Sequence, residues 1–163
     1  SGLNIPFYDK SKIVEVWGLD PSDALCEMAK KVAFKESLEI NFISSGAEEI
    51  PLPDNHFDTV LITYTMCTIP EVLRANDEIR RVLKSEGKMI FCEHGVAPDE
   101  NIRKWQNRIN PYWGMLAGGC NINRNIPSLI EDSGFDIVEL EEMYLPKTPK
   151  IAGYNYWGYA VAK

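Results

Sequence analysis

The chain is short of most features that would assign its class at once. Its 163 residues include only two histidines and four cysteines. Cys26, Cys67, Cys92 and Cys120 are too far apart to form a C-x-x-C pair. That spacing offers neither a disulfide framework nor a zinc signature, so a reducing, cytoplasmic setting and no metal are expected. Positive charge is also in deficit: 17 Lys and Arg face 24 Asp and Glu, for a net charge of -7. Such a balance excludes a nucleic-acid backbone as the main partner, because phosphate binding needs a basic surface. No apolar run approaches the roughly 20 residues of a membrane span. The first residues lack the basic and then apolar order of a secretory leader. Linkers and internal repeats are missing too, and no pattern bears on oligomeric state.

What is present is ordinary globular material, 45% hydrophobic and 25% charged, enough for one domain spanning residues 1–163 with a substantial core. Strand and helix patterns alternate along it. Ile13–Leu19 reads as a strand. It is followed by a helix with Leu25, Met28, Ala29, Val32 and Ala33 on one face and Ser22 or Asp20 as its cap. Leu38–Ser44 is a short strand, and Phe57–Thr63 is nearly continuous apolar sequence, as in a buried parallel strand. Pro70 opens a helix with Val72, Ala75, Ile79, Val82 and Leu83 on one face, which Gly87 stops. Lys88–Glu93 is the next strand. Ile102, Trp105 and Ile109 mark a helix ended by Pro111, and a further helix runs from about Asn125 to Gly134. Strands at Phe135–Leu140 and Tyr154–Ala162 finish the chain. Repeated strand–helix units imply an α/β fold with a mostly parallel sheet, doubly wound by helices. The last two strands have only a proline-containing loop between them, too short for a crossover helix, so they should pair antiparallel.

The beginning of the chain carries the chemical signal. Ser1-Gly2-Leu3-Asn4 reads as the end of a glycine-rich turn opening a helix. The following strand stops at Asp20 before Pro21. In a doubly wound domain an acid at the tip of the second strand, roughly 20 residues past the glycines, accepts hydrogen bonds from ribose hydroxyls. The strand that would precede the glycines is not among these residues. Since it would lie centrally in the sheet, residues 1–163 alone are expected to bind cofactor weakly and unfold easily.

A terminal antiparallel strand is typical of S-adenosylmethionine-dependent methyltransferases, and the local motifs agree with that family. Ser1–Asn4 resembles the end of its G-x-G-x-G loop, and Gly18-Leu19-Asp20-Pro21-Ser22 its ribose-binding turn. Residues 46–58 resemble its adenine-side loop and the entry to its fourth strand. Arg81-Val82-Leu83-Lys84-Ser85-Glu86-Gly87-Lys88 is similar to its turn before strand five. Thr65–Pro70, Glu93-His94-Gly95 and Gly118–Arg124 further resemble a bacterial branch of the type-11 methyltransferases, related to animal enzymes that methylate alkyl thiols. The resemblance departs at Gly46, where many relatives carry an acid, and at Asn121, where relatives often carry histidine. The animal enzymes also have an apolar N-terminal anchor, which these residues do not include.

The resemblance implies S-adenosylmethionine as cofactor and a small, fairly apolar molecule as acceptor, with sulfur favoured and oxygen or nitrogen open. Such a cofactor brings an activated methyl, so the protein supplies binding, orientation and exclusion of water. Ligands of open α/β sheets sit outside the carboxyl ends of the strands. The cofactor candidates are therefore Gly2 and Asn4 on the methionine side, Asp20 and Pro21 at the ribose, Ala47 and Glu48 near the adenine, and Thr63 and Tyr64 on the floor. Catalytic candidates are His94, whose ordinary pKa of about 6.5 suits taking a proton from a thiol of about 8.5, and Glu93, which either serves there or merely orients the ring or nearby amides. Substrate candidates are Cys67, Trp105, Trp113 and Asn121. Each has a plainer role open to it: the cysteines as small buried hydrophobes, the tryptophans as core, and His94 as the cap of a strand. A dehydrogenase-like nucleotide enzyme and a non-catalytic fragment are the alternatives.

Overall fold

The computed structural model describes residues 1–163, which form two compact units, Ser1–Ile50 and Pro51–Lys163. In the first, a single 3-10 turn at Ile5–Phe7 follows the glycine, in place of the helix expected there. Gly2 has φ +79°, and a Cβ added to it would lie 2.9 Å from Ala29 Cα. Left-handed backbone pressed against a helix admits only glycine at little cost. Strand β1 (Trp17–Leu19) pairs in parallel with β2 (Asn41–Ile43), Gly18 opposite Phe42. Both strands are shorter than the apolar patterns suggested. Ile13–Val16 stays outside the ladder, and Val14 is fully exposed.

Between these strands runs α1 (Asp23–Lys35), capped by Ser22, whose side chain accepts from the Leu25 amide at 3.4 Å. Its buried residues are Cys26, Ala29 and Ala33, with Val32 packed beside them. Leu25 and Met28 are exposed, so the buried stripe lies to one side of the face expected. Small alanines let the helix approach Ile5, and Leu38, Ile40 and Phe42 complete this cluster.

The second unit is built on a four-stranded sheet in the order β3-β4-β6-β5. Strand β3 (Phe57–Thr63) matches its expected bounds. As an edge strand it buries only Ile62 fully, so the apolar run does not mark a strand enclosed on both faces. Helix α2 (Val72–Val82) buries Val72, Ala75, Ile79 and Val82; each fully buried Val or Ile contributes roughly 1.5–3 kcal/mol of hydrophobic stabilisation. Asn76 on the same face donates to Ser133 Oγ at 3.0 Å and to the Leu129 carbonyl at 3.3 Å. The helix does not continue to Gly87. It ends at Val82 and leads directly into β4 (Leu83–His94). The expected turn survives as an irregularity in the parallel ladder: Phe57 pairs with Leu83 and Thr59 with Lys88, so the intervening residues of β4 loop out.

Helix α3 (Glu100–Leu116) passes through Pro111 instead of stopping there. A proline forfeits one backbone hydrogen bond and crowds the preceding turn. Ile109 and Trp113, packed on Cys67, Cys120 and Ile122, hold the helix together on either side of it. Helix α4 (Ile126–Asp132) begins where Asn125 caps the Ser128 amide at 3.3 Å. Strand β5 (Phe135–Tyr144) outruns its expected end. Strand β6 (Tyr154–Ala162) lies between β4 and β5 and is antiparallel to both. Gly158 is needed there, since a Cβ would sit 1.9 Å from the Glu139 carbonyl oxygen at the irregular step of β5. The fold is thus α/β, with parallel strands first and antiparallel strands last. No helix is long and apolar enough to cross a membrane.

Candidate functional site

A cavity of about 350 Å³ opens in the second unit beyond the carboxyl ends of β3 and β4. Tyr64 follows β3 directly, with a positive φ of 51°. Its hydroxyl donates to Asn155 Oδ1 at 2.7 Å, and its ring stacks against that of His94 with centroids 6.1 Å apart. His94 is the last residue of β4 and is paired with Asn155 of β6. Trp113, Ala117, Leu145 and Ala152 give the remaining wall its apolar character. Such a pocket, apolar with a few convergent polar groups, suits a small ligand.

Glu93 is completely buried behind this wall. Its Oε1 accepts from the amides of Thr65 at 2.7 Å and Met66 at 3.1 Å, while Oε2 has no partner. Burial pushes its pKa up to about 7, against the opposing pull of the Thr65, Met66 and Cys67 amides and of Arg124. Glu93 therefore fixes the Thr65–Cys67 loop and does not line the cavity. Of its two expected uses, the arrangement supports the orienting one.

Cys67, on that loop, and Cys120, after α3, converge on His94 in the lining of the cavity. The Cys120 sulfur is 3.2 Å from His94 Nε2, and the three donor atoms all lie within 4.8 Å of one another. Burial raises the Cys67 thiol well above its ordinary pKa, with Cys120 and Glu93 adding to the rise. Burial lowers that of His94 by disfavouring the charged ring. The loops are tied together. The Cys67 carbonyl accepts from the Asn121 amide at 2.8 Å and from its side chain at 3.1 Å. Arg124 Nη1 donates to the carbonyls of Met66 and Ile69.

Three residues that sequence reasoning passed over shape this site. Gln106, wholly buried on α3, donates to the carbonyls of Gly95, Ile122 and Ile151 and accepts from the Ala97 amide, all within 2.9–3.1 Å. It clamps the segment following His94. Asn110 accepts from the Ile122 amide at 3.0 Å, and Asn155 holds Tyr64. None of them belongs to a local motif. Of the substrate candidates, Cys67 and Trp113 line the cavity, Asn121 braces the Cys67 loop, and Trp105 lies elsewhere, 56% exposed under the Arg108 guanidinium.

The cofactor candidates fall into two groups. In the first unit, Asp20 stands at the tip of β1, its amide donating to the Ile43 carbonyl at 3.2 Å. Its Oδ1 accepts from the Ser22 amide at 2.9 Å, which orients the carboxylate and leaves the second oxygen for another donor. Pro21 is exposed beside it, and Asn4 is half-buried next to Gly2. Ala47 and Glu48 form a turn after β2 in which Ser45 Oγ donates to the Gly46 and Glu49 carbonyls. The oriented acid and the glycine with no room for a Cβ are features that fit S-adenosylmethionine. In the second unit, Thr63 ends β3 opposite Cys92, and Tyr64 follows it.

Comparison with known proteins agrees with this anatomy. A family model described as a methyltransferase domain matches residues 1–91. The human thiol S-methyltransferase TMT1A is 26% identical over 165 residues, covering 99% of this chain and 67% of that protein. The rat thiol S-methyltransferase TMT1B is 28% identical over 162 residues, covering 94% of this chain and 66% of that one. The chain thus spans about two thirds of the length of these relatives. Among solved structures, a SAM-dependent methyltransferase of Methanosarcina mazei superposes with a TM-score of 0.71 at 16% identity, covering 91% of this chain and 82% of that one. With the Rossmann-like sheet, the oriented acid and the family match in agreement, the chain belongs to the methyltransferase domain family, whose cofactor is S-adenosylmethionine.

Proposed function

We propose that the protein transfers a methyl group to the sulfur of a small, fairly apolar thiol seated in the cavity beside His94. The observation that carries this reading is the cavity itself. It is apolar, lies at the strand ends where ligands of this fold class bind, and presents an imidazole nitrogen and two sulfurs. Relatives matching over almost the whole chain are named thiol S-methyltransferases, which favours sulfur over oxygen or nitrogen as the acceptor atom.

Asp20, with Pro21 shaping its turn, would hold the cofactor ribose. Gly2 and Asn4 would serve the methionine end, Ala47 and Glu48 the adenine, and Thr63 and Tyr64 the floor. When bound, S-adenosylmethionine supplies a methyl group already activated on a sulfonium. The acceptor sulfur would gain that methyl and give up its proton, with S-adenosylhomocysteine as the leaving group. His94 is the catalytic residue, acting at the acceptor sulfur to favour the thiolate. Glu93, Asn121 and Gln106 are positioning residues, and Trp113 packs the acceptor's apolar part. The four free cysteines suit a cytoplasmic, reducing setting, and the reading treats residues 1–163 as one methyltransferase domain.

The test combines purified protein, S-adenosylmethionine and a series of alkyl and aryl thiols, with the methyl thioether followed by mass spectrometry. Product should form, faster as pH rises and more thiolate is present. His94→Ala should slow a neutral alkyl thiol far more than an aryl thiol that is already ionised. Methylation confined to oxygen or nitrogen acceptors would refute the sulfur assignment. Binding of NAD in preference to S-adenosylhomocysteine would move the protein to another class of nucleotide enzyme.

A further inference from the structure

We propose that Cys67, His94 and Cys120 form a binding site for a zinc-like divalent ion, with a fourth coordination position open to the cavity. The donors are two sulfurs and one imidazole nitrogen, the set that borderline-soft metals select. Tetrahedral zinc, with bonds of about 2.3 Å to sulfur and about 2.0–2.1 Å to nitrogen, needs ligand atoms separated by roughly 3.5–3.8 Å. The Cys120 sulfur and His94 Nε2 are 3.2 Å apart, and no pair of the three exceeds 4.8 Å. Closing the triangle on an ion requires shifts of about 1 Å at most.

The scaffold around the triangle is already braced. Each ligand sits on a different segment, and the segments are cross-linked by hydrogen bonds that do not consume the donor atoms. Glu93, next to His94 in the chain, holds the amides of Thr65 and Met66 ahead of Cys67. Asn121, next to Cys120, holds the Cys67 carbonyl through its backbone and its side chain. A metal site depends on such outer support to keep its ligands in register. Cys67 and Cys120 are buried, but all three residues face the cavity, so a ligand can reach the open position. Three protein ligands and one vacant position are the pattern of catalytic, not structural, zinc.

Binding would displace two protons, one from each thiol, and leave two thiolates and a neutral imidazole around the dication, with no net charge at the site. The vacant position would take the acceptor's sulfur as a metal-bound thiolate, its proton passing to solvent. This last step rests on the thiol reading above, with His94 then favouring the thiolate through the ion it holds and not as a base; the metal site itself does not rest on that reading.

The experiment is cobalt(II) titration of the reduced, purified protein, followed by absorbance, with zinc retention after desalting measured in parallel. A single equivalent of cobalt should produce a thiolate-to-metal charge-transfer band in the near ultraviolet and visible bands of tetrahedral intensity. Zinc should displace it. Cys67→Ser, Cys120→Ser and His94→Ala should each lose or markedly weaken the band, whereas Cys92→Ser and Cys26→Ser should keep it. Circular dichroism establishes that each variant is folded. Adding an alkyl thiol should shift the cobalt spectrum. A folded wild-type protein without the band overturns the site, as does a band that survives Cys67→Ser together with Cys120→Ser. A band that forms but ignores every thiol leaves the metal site standing and overturns only its link to the acceptor.

Discussion

The two units solve the same problem, burying an apolar face of a sheet, with different resources. In Ser1–Ile50 the ladder is three residues long on each strand, and the core is Ile5, Ala29 and Ala33 with four half-buried neighbours. In Pro51–Lys163 the strands reach 12 residues, and Phe91, Phe135, Met66, Met89, Ile122, Ile126 and Ile130 are fully enclosed. Leu3, Phe7, Val14 and Phe34 of the first unit are exposed by 77% or more. The first unit carries its information in a few backbone-defined positions, and the second carries it in packing. Motifs and cores are thus separable in one chain. A ribose acid needs only a strand tip, whereas a cavity needs a wall.

The sharpest way to break that contrast is a pair of matched truncations. Phe91→Ala, in the second core, should lower stability by about 3–5 kcal/mol in chemical denaturation. Phe34→Ala, on the exposed side of α1, should change it by less than about 0.5 kcal/mol. Similar losses would mean that the first unit is as tightly packed as the second. Gln106→Ala comes next. It orphans buried groups on three loops, and a loss of roughly 2–3 kcal/mol is expected from unsatisfied partners, with the Gly95–Ala97 segment gaining hydrogen exchange. Asp20→Ala should leave stability nearly unchanged while weakening S-adenosylhomocysteine binding by roughly 1.5–3 kcal/mol, the scale of a hydrogen bond to a charged group. Calorimetry showing equal affinity in a folded variant would reduce Asp20 to a turn residue. Ser22→Ala should have the smallest effect, about 0.5–1 kcal/mol for a lost cap, at the lower end because the contact is 3.4 Å long.

The same contrast explains what could be read before the structure. Phe57–Thr63 was legible because a β-rich run bounded by polar turns has few alternatives. The antiparallel ending was legible because the loop after β5 is too short for a crossover. Asn125 and Gly134 marked α4 by local backbone chemistry. Helix α3 was misjudged because local preference made Pro111 a terminator, while packing of Ile109 and Trp113 overrode it. The stripe of α1 was displaced because periodicity identifies a face but not what lies against it. Within the site, Tyr64, Cys67 and His94 stood next to recognisable strand ends. Gln106 and Asn155 did not, since a buried amide satisfied by distant carbonyls leaves no trace in its own neighbourhood. The gathering of Cys67, His94 and Cys120 was hidden for the same reason, as three segments far apart in sequence supply one donor each.

The position of β6 has a consequence for how the molecule is made. It is the latest strand in chain order, yet it lies between β4 and β5 and pairs with both along most of its length. During synthesis β4 and β5 emerge from the ribosome with no partner for their facing edges, and they must wait for Tyr154–Ala162 before the sheet can close. Exposed strand edges of this kind are templates for wrong pairing, and closure through distant contacts is slow. Asn155 arrives on that same strand to receive the Tyr64 hydroxyl. A nascent chain stalled before β6 would therefore leave β5 with no partner strand, the inner edge of β4 open, and the pocket unfinished.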